Sequence, residues 1–357
     1  MHRDYGPKDV KMFFIYKSLA HPELAGNYVQ PFTLDERLAH ARQAEKQLGA
    51  TVPWLVDAMD NRLKHALGDR ANSEFIVDPK GIIVRKRAWS HPAEVRTDLE
   101  KLVGPVENIT REEDVKLKLE LPIKSAAARG VVPRLKRSEQ MQAIVIVPKI
   151  DPKGPSFFAK LRAETDPDLF RDGAGKLYLG FHLDPLHEAH WNNLTKPLSF
   201  KLEVPEGVKI GKLSFESPPV MAPSDSDPRE FLVDVENWPE GKSIRLSVIY
   251  YACVGKETCH TVKQEYEIHL ERDRDAGKAR GEGAGFWDAE GFARQNLARD
   301  KNGDGKLNKA EVQGLIVPHF ESFDKNQDGL LDFEELKPVS DWLNHHHQPG
   351  TALSTPK

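Results

Sequence analysis

The sequence predicts a multidomain chain: an α/β module first, an all-β sandwich second, and an all-α pair of cation-binding loops last. Three observations predict this. Over residues 11 to 104, short apolar runs alternate with segments of helical period. From Ala143 onward, apolar and polar residues alternate in one short segment after another. Between Asp300 and Glu335, one acidic loop pattern occurs twice. A chain of 357 residues has room for roughly two to four domains. The boundaries read as a module at 1–104, a linker at 105–139, a sandwich at 140–272, a linker at 273–285, a paired-loop module at 286–344 and a disordered tail at 345–357.

Composition narrows the function. A hydrophobic content of 39% suits folded, soluble material. A net charge of −4 with 30% charged residues gives neither a nucleic-acid footprint nor a strongly acidic chain. No apolar run reaches membrane-spanning length, and Met1-His2-Arg3-Asp4-Tyr5-Gly6 lacks the apolar core of a signal peptide.

In the first module, Lys11 to Tyr16 is an apolar run and reads as a buried strand. Thr33 and Glu36 form a capping box that opens a helix with Leu34, Leu38, Ala41, Ala44 and Leu48 on one face. Val52 to Val56 is a second strand. Asp60 caps a short helix that stops at Gly68. Phe75 to Val77, the turn Asp78-Pro79-Lys80-Gly81 and Ile82 to Val84 make a hairpin. Ser90 caps a last helix, and Gly104 closes it. This β-α-β-α-β-β-α order is that of a thioredoxin fold without its first strand and helix.

Phe14-Ile15-Tyr16, Ala20-His21-Pro22, Glu36-Arg37-Leu38 and Asp57-Ala58-Met59-Asp60-Asn61 follow one another as in the iodothyronine deiodinases, which the first hundred residues resemble. The resemblance implies reductive chemistry by a cysteine or selenocysteine at the start of the first helix, with His21 near it. Met1 to Tyr5 aligns with the end of that helix, so the nucleophile position precedes the chain as given, and residues 1 to 252 contain no cysteine. Leu19 stands where the family has an acidic residue, and Asn72 where it has a proline before the third strand. His21 therefore reads first as a loop histidine that holds a turn, and second as a substrate-orienting group.

Residues 105 to 139 are punctuated by Pro105, Pro122, Gly130 and Pro133 and dense in charge. Lys124, Arg129, Arg134, Lys136 and Arg137 read as a solvated basic stretch, with an anionic partner as the alternative.

The second module alternates at Leu177, Leu179 and Phe181, at Leu198, Phe200, Leu202 and Val204, and at Ile244, Leu246, Val248 and Tyr250. Further strands cover Ala143 to Val147, Phe231 to Val235 and Val262 to Leu270. Such strands between Pro/Gly/Asp turns predict an antiparallel β-sandwich. The chain's two cysteines, Cys253 and Cys259, flank a tight connection between two of these strands, within reach of a disulfide. Their surroundings, over roughly residues 140 to 272, resemble the N-terminal domain of the thiol:disulfide interchange protein DsbD, which implies that the sandwich is immunoglobulin-like and that the pair is redox-active. A structural disulfide is the other reading. His182, His187 and His190 cluster near Trp191 and read as packing histidines, with a transition-metal site as the alternative.

Glu271 to Gly285 reads as a flexible linker. The last module carries Asp300-Lys301-Asn302-Gly303-Asp304-Gly305-Lys306-Leu307-Asn308-Lys309-Ala310-Glu311 and Asp324-Lys325-Asn326-Gln327-Asp328-Gly329-Leu330-Leu331-Asp332-Phe333-Glu334-Glu335. Each has oxygen side chains at loop positions one, three, five and nine, glycine at six and glutamate at twelve, the EF-hand pattern. Calcium takes several hard oxygens, position seven contributes its backbone carbonyl, and the last glutamate chelates with both oxygens. The expected ligands are Asp300, Asn302, Asp304, Lys306, Asn308 and Glu311 in one loop, and Asp324, Asn326, Asp328, Leu330, Asp332 and Glu335 in the other. Leu307 and Leu331, at position eight, fit a short strand contact between the loops. Val312, Leu315, Ile316, Phe320 and Phe323 are expected to pack against Phe292, Leu297, Phe333, Leu336 and Trp342, with Pro318 breaking the segment between the loops.

The expected function is calcium binding without catalysis in the chain as given, with calcium as cofactor and a protein or redox partner. The alternatives are a thiol-disulfide oxidoreductase using Cys253 and Cys259, or a deiodinase-like reductase. The combination of modules suits a bacterial protein, and the cysteine pair and EF-hands suit a periplasmic site.

Overall fold

The computed structural model describes residues 1–22, 28–111, 114–115, 126–138, 140–152, 154, 156–255, 258–277, 293, 296–297, 299–312, 316–317 and 320–346, without the side chains of 340–346. The expectations for Lys124, Phe292, Leu315, Pro318, the Trp342 side chain, the linker beyond Gly277 and the tail beyond His346 lie outside those residues. The described residues divide between two compact units. The first draws on Met1–Ala20, Gln30–Leu121 and Arg274–Gly277, the second on His21–Val29, Pro122–Asp273 and Lys278–Lys357.

The first unit runs α1 (His2–Tyr5), β1 (Phe14–Tyr16), α2 (Leu34–Leu48), β2 (Trp54–Val56), α3 (Arg62–Ala66), β3 (Glu74–Val77), β4 (Ile83–Arg87) and α4 (Pro92–Val103). Helix α2 begins at the capping box: the Glu36 amide donates to Thr33 Oγ1 at 3.2 Å, and the Thr33 amide donates to Glu36 Oε2 at 3.2 Å. Strands β1 and β2 pair in parallel, and β3 and β4 pair antiparallel. Several details differ from expectation. Asn61, in a left-handed conformation, and not Asp60, occupies the cap position of α3. Leu34 and Leu48, at the two ends of α2, are exposed. Phe14 and Ile15 are 47% and 37% exposed; among the described residues β1 has β2 as its one neighbour, so the apolar run lies on a two-stranded ribbon and is not enclosed. Ser90 does not cap α4. His91 occupies the cap position, and the Ser90 hydroxyl donates to Glu74 Oε2 at 2.9 Å. There it joins a network in which Arg87 pairs with Glu74, Glu94 and Asp98 and ties the hairpin to α4.

The second unit is mostly strand. It continues with β5 (Gln142–Pro148), β6 (Ala159–Thr165), α5 (Pro167–Asp172), β7 (Gly175–Leu183), β8 (Ala189–Asn192), β9 (Ser199–Glu203), β10 (Lys209–Ile210), β11 (Ser214–Glu216), β12 (Ser224–Asp225), β13 (Arg229–Glu236), β14 (Ser243–Val254) and β15 (Thr258–Arg272). These strands form one large antiparallel sheet in the order β10-β13-β7-β6-β5-β15-β14-β8-β12, with β9 beside β14 and β11 beside β9. Strand β5 joins two arms, since its start pairs with β6 and the rest with β15. The arms pack face to face. Phe181 and Phe231 from one meet Phe200 from the other at ring distances of 5.6 and 4.8 Å. Tyr250 Oη accepts a hydrogen bond from the Ala159 amide at 3.0 Å. Strand β14 alternates buried and exposed residues, as one wet face requires. Strands β6 and β7 are buried on both faces.

The C-terminal part holds β16 (Leu307–Asn308), α6 (Phe320–Phe323), β17 (Leu330–Leu331) and α7 (Phe333–His346). Ala293, Leu307, Val312, Ile316, Phe320, Phe323, Leu331, Leu336 and Val339 form its core, with Leu297 and Phe333 against it.

Candidate metal centre

The two acidic loops fold alike, and the reason is visible in their hydrogen bonds. At position one, Asp300 Oδ2 accepts from the Gly305 amide at 2.7 Å and Asp324 Oδ2 from the Gly329 amide at 2.9 Å. At position three, Asn302 Oδ1 accepts from the Asp304 amide at 2.9 Å and Asn326 Oδ1 from the Asp328 amide at 2.8 Å. At position five, Asp304 and Asp328 accept from the amides of Lys306 and Leu330 at 2.8 and 2.9 Å. At position twelve, Glu311 accepts from Lys301 and Asn308, and Glu335 from Lys325 and Asp332, all at 3.0 to 3.1 Å. The side chains thus curl the backbone about themselves. The turn at position six requires a left-handed backbone, and Gly305 and Gly329 supply it with φ of +79° and +80°.

The loops are joined by an antiparallel pair in which Leu307 lies opposite Leu331. Both leucines are fully buried in the core beneath. The carboxylate residues Glu311, Asp324 and Glu335 are buried. Buried carboxylates gathered among backbone donors fit the oxygen-rich shell of a hard cation. The amide of Gly305, followed by other loop amides, holds the Asp300 carboxyl below its ordinary range, so it carries charge at neutral pH.

The spacing rule did not speak for one contact, because position seven is assigned to a backbone carbonyl. The Lys306 side chain crosses from the first loop to Asp328 Oδ2 of the second at 2.6 Å. It is the first cause of a lowered Asp328 pKa.

Residues 316–339 match the family model for the EF hand. The match contains the whole second loop. No curated protein and no solved structure matches the chain.

The other singled-out residues are placed as follows. Cys253 and Cys259 form a disulfide and lie directly opposite each other on β14 and β15. Cys253 is buried and Cys259 is exposed. His190 on β8 lies opposite Cys253, and its buried Nδ1 has no hydrogen-bond partner among the described residues. His182 is buried in β7, and the His187 ring stands edge-on to Phe158 at 5.5 Å. Among the described residues the three histidines do not converge into one ligand set. His21 is exposed at a bend. The Asp57 to Asn61 segment has a local role: Asp57 accepts from the amides of Ala58, Leu63 and Lys64, and buried Arg37 donates to Asp57 O, Ala58 O and Asn61 Oδ1. Of the basic stretch, Arg129 and Lys136 are exposed as expected, but Arg134 and Arg137 are not simply solvated. Arg134 and Arg137 are in ion pairs with Glu230 and Glu164, and the Arg137 side chain is 2% exposed.

Proposed function

We propose that this chain is a calcium-binding multidomain protein with two sites. Asp300, Asn302, Asp304, Asn308 and Glu311 supply side-chain oxygens to the first, with the carbonyl of Lys306. Asp324, Asn326, Asp328, Asp332 and Glu335 supply the second, with the carbonyl of Leu330. The observation that carries this reading is that both loops repeat one pattern of internal hydrogen bonds around buried terminal glutamates. The EF-hand match to the second loop supports it. In this reading the chain comprises a deiodinase-like thioredoxin module at 1–104, a DsbD-like sandwich at 140–272 and an EF-hand pair at 286–344. Its role is non-catalytic contact with partners in a calcium-rich compartment.

Isothermal titration of the full chain tests it. Calcium is expected to fill two sites, and Glu311→Gln and Glu335→Gln are each expected to abolish one, because each removes a chelating carboxylate. A chain silent up to about 1 mM calcium, the weak end of EF-hand affinities, overturns the proposal.

A second reading, thiol-disulfide exchange, is favoured by the asymmetry of the cysteine pair. A partner thiolate can reach the exposed Cys259 sulfur, form a mixed disulfide there and release Cys253 as the thiolate.

A further inference from the structure

Strand β14 carries Cys253 between two neighbours. Cys259 on β15 and His190 on β8 lie directly opposite it, one on each side. Residues opposed in this way share a face of the sheet, with Cβ atoms about 4.5–5.5 Å apart. His190, Cys253 and Cys259 therefore form one row across three strands. The next row, Trp191, Ala252 and His260, faces the other way.

That second row fixes the strand that carries His190. The Trp191 indole donates to the Asp227 carbonyl at 2.6 Å, and its ring stands edge-on to Tyr250 at 5.6 Å. On the far side of β8, Asp225 of β12 lies opposite Trp191. His190 itself is half-buried, and its Nδ1 is closed off from water with no hydrogen-bond partner among the described residues. A buried polar atom left unpaired costs stability. Beside a disulfide, its natural complement is an acceptor that exists only when the bond is open. Sulfur in a disulfide accepts weakly, whereas a thiolate is a charged acceptor.

We propose that His190 receives the Cys253 thiolate when the disulfide opens, by donating a hydrogen bond from its imidazole to Sγ. This role rests on the exchange reading for its use, not for its chemistry. An incoming thiolate attacks the exposed Cys259 Sγ. A bond forms between those two sulfurs, the bond between Cys259 and Cys253 breaks, and its electron pair leaves on Cys253 Sγ. A leaving thiolate that is better stabilised departs faster. The other titratable groups on this face, among the described residues near the row, are Tyr251 on β14, Lys263 two rows further on β15 and the exposed Glu188 just before β8. Glutamate repels a thiolate. The Tyr251 hydroxyl is the rival donor, and it lies opposite Thr261, one row away on that face.

Two measurements test this. In Cys259→Ser the one thiol left is Cys253, and its ultraviolet thiolate absorbance against pH gives a midpoint. His190→Phe and His190→Val, each in that background, are expected to raise the midpoint by about one pH unit, which is about tenfold less thiolate at pH 7. Tyr251→Phe is expected to leave it in place. In the chain with both cysteines, the same His190 variants are expected to slow opening by glutathione about threefold or more at equal glutathione thiolate. Far-ultraviolet circular dichroism checks each fold. If one His190 variant loses its native spectrum, the other decides, and if Cys259→Ser loses it, the opening rate decides. A pair too reducing for exchange removes that reading, and the midpoint still judges His190. An unchanged midpoint in a folded His190 variant, or a midpoint moved by Tyr251→Phe instead, overturns the proposal and leaves the exchange reading standing.

Discussion

Asp4 shows how a single carboxylate can carry a pH dependence. It is buried in α1 and accepts from the Thr110 hydroxyl and amide and from Arg96 at 2.8 Å. Burial by itself would raise its pKa; those donors outweigh it and hold the group at about 2. A depressed folded-state pKa gives stability that is present above the unfolded value near 3.8 and lost as pH falls through about 2. Between pH 5 and pH 2, wild-type protein is therefore expected to lose about 1 kcal/mol that Asp4→Asn does not lose, allowing for screening by nearby solvent. Urea unfolding of both proteins at the two pH values measures this, and equal losses exclude it. At the same scale, Lys306 holds the Asp328 carboxylate, a ligand in the proposed second site. Lys306→Met keeps the backbone carbonyl and removes a competing charge. Calcium affinity of the second site is expected to rise about two- to fivefold, more at low salt, and calorimetry at two salt concentrations reads it.

Among the elements, those with the strictest local rules were the most legible. The repeated loop spacing anticipated the Leu307–Leu331 contact, because an EF-hand pattern fixes residue type at fixed intervals. The Thr33 to Glu36 box and the β3–β4 hairpin were readable because a helix cap and a tight turn each fix residue type locally. The role of residues 126–138 was not. Proline, glycine and charge look alike in a linker and in a cover, and only the carboxylates of Glu164 on β6, Asp227 just before β13 and Glu230 on β13 decide that this segment is held down. The β14–β15 hairpin was legible, with its cysteines directly opposed, yet opposition does not separate a staple from an exchange pair. The staple is expected. Its closed loop is short, so Cys253→Ser with Cys259→Ser is expected to cost about 2 kcal/mol, near the lower end for disulfides. A staple resists reduction above about −300 mV. Alkylation and mass spectrometry across graded glutathione buffers decide this; a pair that titrates between about −120 and −270 mV establishes the exchange reading instead.

For the molecule as a whole, the proposed sites have a consequence in charge. The chain has a formal net charge of −4 with histidine neutral. Two bound calcium ions bring four positive charges and cancel it. A protein near zero net charge loses the self-repulsion that keeps copies apart. Electrophoretic mobility at pH 7.5 is therefore expected to fall from clearly anionic toward zero as calcium saturates. Potassium chloride of equal ionic strength only screens the charge and leaves its sign. The glutamate variants make the effect quantitative. Glu335→Gln starts one charge less negative and takes up one ion, so it settles about one charge short of neutral. The double variant with Glu311→Gln takes up neither ion and keeps an anionic mobility in calcium. Light scattering in the same buffers is expected to show attraction between copies of the wild type when calcium is bound, and none for the double variant. A wild-type mobility that shifts no further in calcium than in matched potassium chloride contradicts two-site binding, whatever the affinity of either loop alone.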